Sequence, residues 1–173
     1  QRTALIESDR RLSYAELVSE VGARAQMLRQ SGAKRLALAL DNGIEWVLWD
    51  LAALEADLVC VPIPGFFSAE QKKHVLDSAG VDSLIAAEPS LYREWGFIEA
   101  ARHLLQRQPD QVPVLPAGTV KITYTSGTTG QPKGVCLDAD LQLRVAHSLW
   151  QASLACQVER LSLIHISEPT RLR

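Results

Sequence analysis

The residues best equipped for chemistry lie in one stretch, Thr123-Tyr124-Thr125-Ser126-Gly127-Thr128-Thr129-Gly130-Gln131-Pro132-Lys133-Gly134. Its twelve residues include three glycines, five Ser or Thr hydroxyls, one proline and one lysine. Glycine permits positive φ and removes the Cβ, so the backbone can come close to a ligand. Successive backbone N–H groups in such a turn point into one concavity and bind anions. The hydroxyls add donors and Mg2+-ligating oxygens, and Lys133 adds a compact positive charge suited to phosphate. On composition the stretch fits a polyphosphate cradle. It fits equally well a Ser/Thr/Gly-rich hairpin turn of the kind common in β proteins.

Spacing separates the readings. The stretch is not the G-x-x-x-x-G-K-[ST] loop, because Pro132 stands five residues after Gly127 and Gly134, not Ser or Thr, follows Lys133. Nor does it contain G-x-G-x-x-G. The full pattern is an apolar residue, two more, then T-S-G-T-T-G-x-P-K-G, running from Ile122 to Gly134. That pattern closely resembles the phosphate-binding signature of the adenylate-forming (AMP-binding) superfamily. Its members include acyl-CoA synthetases, aryl-CoA ligases, luciferases and the adenylation domains of peptide synthetases.

The elements around the stretch read as an α/β chain. Ser13-Tyr14-Ala15-Glu16 is a capping box, and Tyr14, Leu17, Val18, Val21, Ala25 and Leu28 repeat on one helical face up to Gly32. Lys34 to Leu40 reads as a buried strand, closed by Asp41-Asn42-Gly43. A helix over about 44–56 presents Ile44, Val47, Leu48, Leu51 and Leu54 on one face. Trp46, Trp49 and Ala53 lie on another, so cover on both sides is expected, with the tryptophans packing rather than stacking on a cofactor. Leu58 to Ile63 reads as a strand, and Ser68-Ala69-Glu70-Gln71 as a second capping box opening a helix that Gly80 stops. Val81 to Ala86 gives a further strand. This alternation predicts parallel βαβ units. Residues 91–108 read as helical without clear periodicity, and 108–118, with three prolines, as a crossing segment. Val135-Cys136-Leu137 reads as the returning strand, which places the turn at a hairpin tip, where it is expected to be mobile and to close over phosphates. Leu141, Val145, Leu149, Ala152 and Cys156 then share one helical face.

Composition sets outer bounds. At 173 residues the chain can bury a core. Its 47% hydrophobic and 22% charged residues are ordinary for a globular protein. A net charge of −2 without a long basic run gives no footprint for nucleic acid. No apolar run approaches the roughly 18 residues needed to span a bilayer. The three cysteines, Cys60, Cys136 and Cys156, are widely spaced and suit reduced thiols rather than disulfides or zinc. With no signal peptide visible, a cytoplasmic location is expected; the chain begins at Gln1 rather than Met.

The resemblance extends upstream and covers roughly residues 10–155. Leu12 to Leu17 is similar to the family's first capped helix, Ala39 to Trp46 to the strand–turn–helix after it, and Leu54 to Ile63 to the second core segment. There are departures. Many amino-acid-activating members carry Asp-Pro where this chain has Pro64-Gly65-Phe66-Phe67-Ser68, which leans toward acyl- or aryl-acid ligases. Many carry Thr-His shortly after the loop, where Asp138 and Ala139 stand here; His147 lies too far on to fill that place and reads as a surface or packing residue. The family's downstream aromatic–Gly–x–Thr–Glu segment, ribose-binding Asp and C-terminal lysine have no counterpart, so the chain reads as an N-terminal fragment, incomplete in its AMP-binding domain and inactive alone.

As the resemblance implies, the full-length parent is an ATP-dependent, AMP-forming acid–thiol ligase with ATP and Mg2+ as cofactors. It activates a small carboxylic acid as acyl-adenylate and transfers it to CoA or a pantetheine thiol, with a carrier protein as a candidate partner. Thr125, Ser126, Thr128 and Thr129 would donate to the β- and γ-phosphates. Gly127 and Gly130 would allow close approach, Lys133 would offset charge, and Pro132 would stiffen the turn. No catalytic residue and no metal ligand set is assigned within the chain. Two alternatives stand: an adenylation module of a peptide synthetase, or a nucleotide-binding domain without catalysis.

The tail is separate. Leu161-Ser162-Leu163-Ile164-His165-Ile166-Ser167-Glu168-Pro169-Thr170-Arg171 closely resembles the conceptual translation of a sequencing adapter, so residues 161–173 are read as non-native and 1–160 as the domain. His165 is therefore no ligand candidate. Resequencing the locus should show a different codon series after about Arg160; an unchanged LSLIHISEPTR would refute this reading.

Overall fold

The structure is a computed structural model that describes residues 2–125 and 131–155. Ser126 to Gly130 of the cradle and the tail at 161–173 lie outside the described residues. The chain opens with strands β1 (Thr3–Glu7) and β2 (Arg10–Ser13), an antiparallel hairpin turning at Ser8. Helix α1 (Tyr14–Ser31) follows, capped as its sequence predicts. Ser13 Oγ accepts from the Glu16 amide at 3.3 Å, and the Glu16 carboxylate accepts from the Ser13 amide at 2.8 Å. The Ser13 side-chain and backbone bonds hold the Glu16 carboxyl below its ordinary pKa. Gly32, at φ 73°, ends the helix.

Strand and helix then alternate: β3 (Arg35–Ala39), α2 (Ile44–Glu55), β4 (Val59–Pro62), α3 (Ala69–Ser78) and β5 (Ser83–Ala86). A one-turn helix α4 (Ser90–Arg93) leads to β6 (Ile98–Ala101) and β7 (Leu104–Gln106). After the proline-rich crossing come β8 (Thr119–Thr125), β9 (Lys133–Asp138) and α5 (Ala139–Ala155). Seven strands form one sheet in the order β6-β7-β5-β3-β4-β8-β9. Its centre, β5-β3-β4-β8, is parallel, and antiparallel hairpins finish both edges.

The centre of the sheet is buried on both faces. Leu36, Leu38, Cys60 and Ile85 point toward α1 and α2, where they meet Val21, Ala25, Leu28, Leu48, Trp49 and Ala52. Their sequence neighbours Ala37, Val61 and Leu84 point the other way, into a second core with Val75, Leu76, Phe97 and Ile122. Alternation of side chains along a strand makes both neighbours apolar only when both faces are covered, which is why Lys34 to Leu40 reads as a continuous run.

Two expectations need correction. Residues 91–108 are not one helix: after α4 the chain turns at Gly96 and forms a hairpin. Leu104 and Leu105 are buried in different cores, a strand signature, and Phe97 is fully buried. Arg107 fixes this hairpin to α3 through Asp77 at 2.8 Å while lying 4.7 Å over the Phe97 ring. Second, α2 buries Ile44, Leu48, Trp49, Ala52 and Ala53, but Leu51 and Leu54 face outward. Helix α5 forms as its periodicity predicts, with Leu141, Val145 and Leu149 of its apolar face exposed. No helix among the described residues is long and apolar enough to cross a membrane.

The proline-rich segment reaches β8 along a fixed path. Arg35 donates to the carbonyls of Ala79 and Pro113, both at 2.6 Å. Gly80 sits at φ +62°, where a Cβ would come within 2.8 Å of the Gln111 carbonyl oxygen, so only glycine fits. Strand β8 pairs with β4 at Cys60 and is tied to α2 by a largely buried ion pair. Lys121 Nζ lies 2.7 and 2.8 Å from the two Asp50 carboxylate oxygens, with 15% and 17% of the two side chains exposed. Truncating Lys121 strands a buried carboxylate, so Lys121→Ala should cost about 3 kcal/mol in chemical denaturation of the full-length protein. The double variant Lys121→Met/Asp50→Leu should lose clearly less; equal losses would show that the pair is not what seats β8.

Candidate phosphate-binding site

Strands β8 and β9 pair antiparallel, with Ile122 opposite Cys136, Thr123 opposite Val135, Tyr124 opposite Gly134 and Thr125 opposite Lys133. Thr125 and Lys133 are therefore the last cross-strand pair before the turn. Directly opposed residues bring their Cβ atoms within about 5 Å, so a hydroxyl and an ammonium leave the hairpin end side by side. Both residues are exposed. Among the described residues, Lys133 forms no ion pair with a carboxylate. Because β8 runs parallel to β4, the turn departs from the carboxyl ends of the parallel strands, the edge where open α/β sheets bind ligands.

The base of the hairpin is tightly built. A Cβ on Gly134 would lie 2.9 Å from Tyr124 Cζ and 3.1 Å from Ile122 Cγ2, so the absent side chain lets the Tyr124 ring lie across the return strand. The Tyr124 hydroxyl is 2.8 Å from Ser78 Oγ on α3. Burial raises the Tyr124 phenol above its ordinary pKa despite the lowering effect of that hydrogen bond, so it remains a neutral hydroxyl. On the other limb Pro132 is buried, and its carbonyl accepts a hydrogen bond from His74 Nε2 at 3.1 Å. A shallow groove of about 230 Å3 runs between helix and hairpin, lined among others by His74, Ser78, Ile122, Tyr124, Pro132 and Gly134.

Of the residues singled out by sequence, the structure brings Thr125 and Lys133 together and frames them on a paired hairpin. Ser126, Gly127, Thr128, Thr129 and Gly130 lie between them, outside the described residues. Sequence reasoning missed His74 and Ser78. The available signal was their four-residue spacing on a helix whose start is fixed by the Ser68/Gln71 box, which puts both on one face.

Comparison with known proteins identifies the architecture. The sequence model of the family described as AMP-binding enzyme matches residues 1–165. The chain belongs to that family. Tyrocidine synthase 2 of Brevibacillus parabrevis is 30% identical over 162 residues, covering 86% of this chain and 4% of that protein. The AMB antimetabolite synthetase AmbB of Pseudomonas aeruginosa is 32% identical over 149 residues, covering 80% and 12%. Among solved structures, o-succinylbenzoate coenzyme A synthetase of Bacillus subtilis in complex with AMP superposes with a TM-score of 0.67 at 22% identity, over 93% of this chain and 44% of that one. The Klebsiella oxytoca NpsA N-terminal subdomain gives 0.60 at 25% identity, over 79% and 38%. The fold thus matches part of the N-terminal domain of adenylate-forming enzymes, and the AMP-binding chain spans less than half the length of each of these relatives.

The packing at Gly134 gives a direct test. Gly134→Val should push the Tyr124 ring off the return strand and break its bond to Ser78, moving the Tyr124 ring resonances in an NMR spectrum of the full-length protein. Leu137→Val, further down the same strand, should leave them in place. Unmoved Tyr124 resonances in Gly134→Val would contradict the described packing.

Proposed function

We propose that the full-length protein is an ATP-dependent ligase that activates a carboxylic acid as its adenylate and passes the acyl group to a thiol. The observation that carries this reading is the hairpin end. An exposed hydroxyl and an exposed ammonium, Thr125 and Lys133, flank a T-S-G-T-T-G-x-P-K-G turn at the carboxyl edge of a parallel sheet. These residues suit a triphosphate: the donor set matches phosphate oxygens, and Lys133 is not neutralised by a carboxylate among the described residues.

In this reading Thr125, Ser126, Thr128 and Thr129 donate to the β- and γ-phosphates, Gly127 and Gly130 admit the backbone to close range, and Lys133 offsets phosphate charge. Mg2+ arrives with the triphosphate. A carboxylate oxygen attacks the α-phosphorus, the bond to pyrophosphate breaks, and the leaving charge is held at the hairpin end. A thiolate then displaces AMP from the acyl carbon. The protein's contribution at this site is positioning and electrostatic stabilisation rather than covalent chemistry.

Two acceptors fit. Coenzyme A is favoured by Pro64-Gly65 in place of the Asp-Pro of many amino-acid-activating members. A pantetheine thiol on a carrier protein, with an amino acid as substrate, is favoured by the likeness to peptide synthetases such as tyrocidine synthase 2. Pyrophosphate exchange with amino acids against other carboxylic acids identifies the acid, and thioester formation on added coenzyme A separates the acceptors.

The role of Lys133 is tested in the same assay. Losing one charge-assisted contact costs about 1.5–3 kcal/mol, so Lys133→Ala should weaken ATP use roughly tenfold or more. Unchanged exchange would overturn the assignment of Lys133.

A further inference from the structure

The two limbs of the hairpin are held by the same helix. His74 and Ser78 stand one turn apart on α3 and so project from one face. His74 reaches the return limb at the Pro132 carbonyl, and Ser78 reaches the outgoing limb at the Tyr124 hydroxyl. The chemistry fixes both donors. A carbonyl oxygen only accepts, so the His74 proton sits on Nε2. Ser78 Oγ also lies 3.4 Å from the Val75 carbonyl. Donating there leaves its oxygen to accept from Tyr124. The helix itself is anchored by other contacts: Val75 and Leu76 are fully buried, and Asp77 is tied to Lys73 and Arg107. The bonds to the hairpin are thus additional to those that keep α3 in the fold.

We propose that His74 and Ser78 are positioning residues for nucleotide binding, clamping the Pro132 and Tyr124 limbs so that Thr125 and Lys133 at the hairpin end are held in place when ATP arrives. The inference rests on the phosphate-binding reading given above. Limbs already held in place spend less of the ligand's binding free energy on ordering. A clamp therefore acts on ATP affinity and leaves affinity for the acid alone.

The test uses the full-length protein with His74→Ala, His74→Gln, Ser78→Ala and Tyr124→Phe. A glutamine amide nitrogen reproduces the place of the histidine Nε2 donor. His74→Ala should raise KM for ATP in pyrophosphate exchange about three- to tenfold, the range for one lost neutral hydrogen bond, with KM for the acid and the melting temperature unchanged. His74→Gln should return KM for ATP toward wild type. Ser78→Ala, Tyr124→Phe and their double variant should show the same rise, because each removes the same bond. Without nucleotide, the amides of Lys133 and Gly134 should exchange hydrogen faster in His74→Ala.

An unchanged KM for ATP, or a rise matched by KM for the acid and a lower melting temperature, overturns the clamp. So does failure of His74→Gln to rescue. A wild-type protein that exchanges no pyrophosphate with any acid sinks the phosphate-binding reading instead, and unchanged amide exchange in His74→Ala then sinks the clamp separately.

Discussion

The buried pair of Lys121 with Asp50 is the contact on which the candidate site depends. It joins β8 to α2 at the point where β8 adds to the parallel sheet beside Cys60. A strand's side chains alternate, so placing Lys121 toward α2 forces Ile122 and Tyr124 toward α3. A one-residue slip would send Tyr124 to the wrong face and present Lys121 to the apolar core around Val61 and Val75. The ion pair therefore sets the parity of the hairpin as well as its attachment. It also stands beside a thiol: burial pushes Cys60 well above its ordinary pKa, and the nearby Asp50 carboxylate adds to that shift. Cys60 is a packing residue, not a nucleophile.

From that parity the remaining contacts follow. Tyr124 faces α3, Gly134 leaves room for its ring, and Ser78 receives its hydroxyl. The segment that precedes β8 is fixed by Arg35, whose two donors bind Ala79 at the end of α3 and Pro113 in the crossing. Arg35 thus links the end of α3 to the chain before β8, and α3 itself reaches Tyr124 near the end of β8 and Pro132 just before β9. These contacts hold both limbs of the hairpin, and a site needs such support to keep its geometry to a fraction of an ångström.

Much of this was legible in the sequence, for identifiable reasons. Capping boxes are local, so Ser13/Glu16 and Ser68/Gln71 mark helix starts without reference to the rest of the fold. The alternating burial of β3 and β4 shows as apolar runs. The spacing of Pro132 and Lys133 separates this turn from other phosphate loops. What escaped is non-local. The β6–β7 hairpin depends on Phe97 entering a distant core and on pairing with β5, which no window around residues 91–108 contains. The cap on α2 is supplied by Glu7, 37 residues upstream, whose carboxylate accepts from the Ile44 amide at 3.1 Å. The exposed face of α5 has the period of a buried one, because periodicity records that a face is apolar and not what covers it. His74 and Ser78 look like ordinary helix residues until the hairpin is brought against them.

Family membership and fold agree on an adenylate-forming architecture, and the hairpin of β8 and β9 carries the residues proposed to bind phosphate. The account stands on where a triphosphate sits. A crystal structure of the full-length protein with a non-hydrolysable ATP analogue measures that directly. The β- and γ-phosphates should lie within hydrogen-bonding distance of residues 125–133, with Lys133 on a phosphate oxygen. A triphosphate bound elsewhere, with that turn untouched, would contradict the account.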